Sequence, residues 1–145
     1  MAVNPPPFVA NYGQAPLRHM SQGLIDAQWL LGLSGGNNQT FINGLTSTGT
    51  TAADAFPVPS NVQNVVFSTV AASTGALLPF AIPGTRIVIF NHDSADALTV
   101  YAQTANNPLT GSADQISTGS GLVASASIPH GVALSLTCAA PGIWN

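Results

Sequence analysis

"RIVIFNHDSADALTVYAQ", residues 86–103, sets two apolar runs on either side of a polar turn. In "ALTVYA" the alternation is clean. Leu98, Val100 and Ala102 fall on one face and Thr99 and Tyr101 on the other, because successive side chains of an extended chain point to opposite sides. In "RIVIFN" four apolar residues are consecutive, the pattern of a strand covered on both faces. The intervening "NHDSAD" is turn chemistry, since Asn and Asp side chains bond to nearby backbone and tolerate left-handed conformations. The stretch reads as a β-hairpin whose two strands form part of a wall.

Working outward, the chain after about residue 60 is a series of short β-like runs separated by turn residues. The predicted strands are Gln63 to Ala71, Ala76 to Phe80, Arg86 to Asn91, Ala97 to Ala102, Leu122 to Ile128, Val132 to Cys138 and Ile143 to Asn145. Their lengths and spacing predict an all-β fold, a small antiparallel sandwich or barrel of jelly-roll type. In "GVALSLTC" Val132, Leu134, Leu136 and Cys138 share a face, so Cys138 reads as a small buried hydrophobe. Trp144 is expected to close the sheet by docking on it. "STGALL" (73–78) and "STGSGLV" (117–123) echo each other, but two copies of so simple a string do not define a repeat.

Upstream the pattern changes. Pro5, Pro6, Pro7 and Pro16 favour extended backbone and remove amide donors, so residues 1–35 are expected to form an extended N-terminal arm. Phe8, Val9, Tyr12 and Leu17 are its apolar handholds, suited to contacts with a partner surface. Ser21 caps a possible short helix in "SQGLIDAQWLLGL", with Leu24, Ile25, Trp29 and Leu33 on one stripe. Residues 36–145 are then the β-rich module, with its core from about residue 60 and one short strand around Thr40 to Leu45.

Composition narrows what such a module does. Hydrophobic residues are 46% of the 145 and charged residues only 5%, with no lysine, no glutamate and a formal net charge of −3. Arg18 and Arg86 are the only arginines, too few and too separated to neutralise a run of phosphates, so nucleic acid is not an expected partner. High hydrophobicity with low charge also opposes a disordered reading and points towards assembly. No segment approaches the ~18 uninterrupted apolar residues of a membrane helix, and residues 1–18 lack the basic and apolar regions of an export signal. The expectation is therefore no membrane partner and synthesis in a reducing cytoplasm, where the lone Cys138 forms no disulfide.

Catalytic patterns are absent from the sequence. There is no G-x-S-x-G string, no phosphate-binding glycine loop and no His or Cys spacing of a zinc site. His92, Asp93 and Asp96 sit close enough to offer a cation three ligands, although a solvated turn is the commoner use of such residues. Arg86 has two readings, paired with Asp93 or Asp96 across the hairpin or simply solvated. The expected role is non-enzymatic, with no cofactor and no metal. Phe8, Val9, Tyr12, Leu17, Trp29 and Tyr101 are the candidate contact residues.

Four stretches carry a family resemblance: "LTSTGTTAADAFPV", "VQNVVFSTVAASTGALLP", "PGTRIVIFNHDSADALTVYAQ" and "GLVASASIPHGVALSLTCAAPGIWN". In this order they resemble a β-rich module of small virion structural proteins of tailed bacteriophages, including head decoration or cement proteins. The likeness spans about residues 40–145 and departs at "TANNPLTGSADQI" (104–116), where a shorter turn is expected. It implies a decoration protein on the outer head surface of the virion that bridges neighbouring major capsid proteins and assembles as a homotrimer. The rival expectation is a tail-fibre or tail-tip module that grips a host receptor or glycan, with Tyr101, Trp144 and the 103–120 loop as candidates.

Overall fold

The computed structural model of the protein describes residues 40–145. The expected arm, its short helix, and Phe8, Val9, Tyr12, Leu17 and Trp29 lie outside the described residues. Within them every regular element is a strand: β1 (Phe41–Thr46), β2 (Phe56–Pro57), β3 (Asn64–Thr69), β4 (Gly75–Leu77), β5 (Arg86–Asn91), β6 (Leu98–Tyr101), β7 (Gln115–Thr118), β8 (Gly121–Val123), β9 (Ser125–Ile128), β10 (Ala133–Thr137) and β11 (Ile143–Trp144). The all-β expectation is borne out, and each run predicted from the alternation overlaps a strand. Two strands, β2 and β7, were not legible because each has too few alternating residues to stand out from its loop.

The pairing of these strands overturns the hairpin. β5 and β6 belong to different sheets, and the chain alternates between a sheet of order β1-β3-β5-β10 and one of order β2-β4-β6-β9. β1, β3 and β5 are mutually parallel neighbours, and so are β2, β4 and β6. Asn64 faces Val88 in one sheet and Leu77 faces Tyr101 in the other, each 24 residues on. Successive passes of the chain therefore stack in the manner of a solenoid, where the expectation was an antiparallel sandwich, barrel or jelly roll. The physical reason is that alternation marks which face is buried and leaves open whether the paired strand lies one turn or one full pass away. The two "STG" strings do not pair with each other, and the strands that do stack share almost no identity.

After β7 the chain reverses. Thr118 and Gly121 close a tight turn, and β8, β9 and β10 then run back antiparallel along β7, β6 and β5. The last strand, β11, lies parallel to β7 in a three-stranded sheet of order β11-β7-β8. Asn145 exchanges two 2.8 Å backbone hydrogen bonds with Thr137, which fastens this end to β10.

The core follows from the stacking. In the first sheet Ile42, Val65, Ile89 and Leu134 occupy one register position in four adjacent strands, and in the second Phe56, Ala76, Val100 and Ala126 do the same. Leu98, Val100 and Ala102 are buried as the alternation predicts. "RIVIFN" buries Ile87, Ile89 and Asn91 and leaves Val88 and Phe90 half-buried, so its second face is only partly covered. Trp144 is wholly buried beside Ile116, and its indole N–H finds no hydrogen-bond partner. Gly75 is required where the passes approach: a Cβ there would lie 2.5 Å from the Thr99 carbonyl oxygen and 2.6 Å from the Tyr101 ring.

The turn quoted at the outset is a corner between sheets. Asn91, also fully buried, donates from Nδ2 to the carbonyls of Asp96 (2.9 Å) and Ile128 (3.0 Å) and accepts the Asp93 amide at 3.1 Å. One side chain thus ties its own corner to the returning pass. Asn91→Ala is expected to lower unfolding free energy by about 1–3 kcal/mol, since it strands buried carbonyls without donors. Chemical denaturation measures this, and a loss below the error of the extrapolation contradicts the assigned role. Gly75→Ala is expected to lower the same midpoint, because the carbonyl its Cβ meets belongs to a fixed strand.

Candidate interaction surface

Parity along the strands decides what the first sheet shows outward. With Ile87 and Ile89 inside, Arg86, Val88 and Phe90 point out of β5, and their register partners share that face. Phe41, Asn64, Val88 and Ser135 form one row across the four strands, and Val66, Phe90 and Ala133 form the next. Val66, Val88 and Phe90 are half-buried, Ala133 and Ser135 are exposed, and Phe41 is 61% exposed. The face is apolar at its centre. Arg86 marks one end and His92 the other, with the Phe90 and His92 rings 5.5 Å apart. A dimple of about 70 Å³ lies between Gln63, Asn64, Arg86 and Val88.

The corner beyond β5 ties this sheet to the preceding pass. Asp93 accepts hydrogen bonds from the amides of Val70 (3.0 Å), Ala95 (2.8 Å) and Asp96 (3.2 Å), and His92 donates its amide to the Phe67 carbonyl at 2.8 Å. The Val70 amide first, then those of Ala95 and Asp96, hold the Asp93 carboxyl down at about 2. His92, Asp93 and Asp96 therefore serve as a structural corner. Among the described residues no group of three or more His, Cys, Asp or Glu is arranged to hold a metal. Arg86 and Asp93 stand at opposite ends of β5, so the ion pair considered across a hairpin is not formed.

A second concavity, about 630 Å³, is lined by Val58, Pro79, Phe80, Ile82, Gln103 and Pro108 together with two hydroxyl side chains. No ionisable group lines it, so it suits shape and neutral hydrogen bonding rather than acid–base chemistry. Gln103 and Pro108 of its wall lie at the start of the loop that leads from β6 to β7. That loop is held from within: buried Asn107 donates to the Ala81 carbonyl (3.1 Å) and to buried Asp114 (2.8 Å), whose other oxygen accepts the Ala81 amide at 2.7 Å. Sequence reasoning missed this clamp, because Asn107 and Asp114 sit among turn residues and only the fold brings Ala81 to them.

The other singled-out residues have structural places. Tyr101 is half-buried, with its ring over Gly75 and its hydroxyl donating to the Thr50 carbonyl at 2.8 Å. Cys138 is buried, its thiol donates to the Ala140 carbonyl at 3.1 Å, and burial pushes its pKa up, away from a reactive thiolate. Trp144 is inside the core. Comparison with family models, curated proteins and solved structures gave no match.

The Asp93 corner makes a pH prediction. Its folded pKa is depressed, so its stabilisation is fully present above the ordinary aspartate range and is lost as pH falls through about 2. Asp93→Asn is expected to lower the urea midpoint by a constant amount from neutral pH down to about 4, with the gap closing between about 4 and about 2. A gap that persists unchanged at the acid end contradicts the assignment.

Proposed function

We propose that this chain is a non-enzymatic virion structural protein, a decoration or cement protein that binds the outer surface of a phage head and bridges major capsid proteins, most simply as a homotrimer. The observation that carries this reading is the outward face of the first sheet, a nearly uncharged platform with Phe41, Val66, Val88 and Phe90 at its surface. Such a face binds a large neighbour through fit and burial, which salt screens far less than exposed ion pairs. The whole chain's 5% of charged residues supports the same mode. The resemblance over residues 40–145 supplies the virion context.

A second reading, a tail-fibre or tail-tip module for a host receptor or glycan, draws on the neutral groove beside Phe80 and Gln103. Tyr101 and Trp144, one tied down and the other buried, lend it no free aromatic platform.

Two exposed positions on the platform separate the readings. Ala133→Glu and Ser135→Asp are expected to change unfolding free energy by no more than about 0.5 kcal/mol, as surface substitutions do, while abolishing attachment to capsids. Attachment unaffected by both overturns the platform as the capsid contact. Quantitative mass spectrometry of purified particles is expected to find this chain at copy numbers comparable with the capsid protein. A handful of copies per particle would favour the tail reading.

A further inference from the structure

The bulge in β1 holds a second kind of chemistry. Ile42 pairs with Val65 and Leu45 with Phe67, so the register skips and neither Asn43 nor Gly44 has a partner residue in β3. Gly44 has φ +78°, the left-handed region that favours glycine, and a Cβ there would meet nothing within 4 Å. Its amide nitrogen donates to Oδ1 of Asn43 at 2.7 Å. Both residues are exposed. The backbone nitrogen of Gly44 is therefore held against the side-chain carboxamide of the preceding asparagine, with no side chain on Gly44 to obstruct a ring.

We infer that Asn43–Gly44 is a self-modification site, at which the folded chain converts asparagine through a cyclic imide to aspartate and isoaspartate. The Gly44 amide gives its proton to solvent base and forms a bond to Cγ of Asn43. The bond from Cγ to Nδ2 breaks, and the nitrogen leaves as ammonia. Water then opens the five-membered imide. Hydrolysis at Cγ leaves aspartate on the original backbone, and hydrolysis at the main-chain carbonyl routes the backbone through Cβ and Cγ as isoaspartate. The co-reactant is water, and no oxidation or reduction occurs.

An Asn-Gly pair inside a regular strand is protected, since the ladder fixes both amides and keeps the attacking nitrogen away from the side chain. Here the bulge removes that protection and supplies the close approach that makes an intramolecular reaction fast. The product carries one more negative charge on the strand that presents Phe41, in a chain of formal net charge −3. The isoaspartate form also lengthens a backbone that is already bulged, so the modification is expected to alter the Phe41 edge of the platform.

Full-length native protein incubated in mildly alkaline buffer, then mapped by peptide mass spectrometry with isoaspartate-specific methylation, tests this. Conversion is expected first at Asn43, with one ammonia released per site, at a rate at least equal to that of the urea-unfolded chain. Asn43→Gln, which leaves the bulge glycine in place and needs a larger ring, is expected to slow ammonia release at least roughly tenfold, equivalent to about 1.4 kcal/mol in barrier. Native conversion at Asn43 more than tenfold slower than in the unfolded chain overturns the inference. So does earlier conversion at exposed Asn61 or Asn106, or ammonia release unchanged by Asn43→Gln.

Discussion

Every feature of this fold depends on stacking equivalent positions of successive passes directly over one another. Aromatic residues are only 7% of the chain, so most apolar burial has to come from columns of small and branched side chains. Ile42, Val65, Ile89 and Leu134 form such a column, and Phe56, Ala76, Val100 and Ala126 form its counterpart in the other sheet. A slip of one residue in any pass turns its column to solvent. Register is therefore the constraint, and the corners enforce it. Asn91 and Asp93 bind backbone groups of the passes before and after their own, so a corner in the wrong register leaves buried amides and carbonyls unpaired.

The returning strands are the last strands of their sheets. A parallel solenoid presents an open edge to pairing by other chains, a recognised hazard for extended sheets. Here the reversal after β7 lays β8, β9 and β10 antiparallel along the third pass, and β11 with Asn145 binds back onto β7 and Thr137. The neutral platform on the first sheet is a broad face of the stack, distinct from its strand edges. Ordinary surfaces use lysine and glutamate to stay apart, and this chain contains neither.

The residues that hold the structure together are mostly uncharged amides and hydroxyls. Asn91 and Asn107 are completely buried, and Asp114 joins Asn107 at the Ala81 amide and carbonyl. With so few opposite charges available, side-chain amides are the groups that can both donate and accept at a buried corner. This explains why residues that look like ordinary turn formers in the sequence, in "NHDSAD" and "TANNPLTGSADQI", turn out to be the joints between passes.

Much of the local architecture was legible before any coordinates. Alternation located most strands, placed Leu98, Val100 and Ala102 inside, and marked Cys138 as buried, because period-two patterning is a direct imprint of one face meeting a core. The neutral surface was equally plain from composition. What tertiary structure alone decided was which strand meets which: that β5 pairs with β3 and β10 instead of with β6, that Asn107 and Asp114 reach Ala81, and that Val66, Phe90 and Ala133 meet on one outer face. Each of these joins residues separated by a whole pass of the chain, and an extended backbone offers identical donors and acceptors on both edges. A pattern of period two carries no information about the partner on either side.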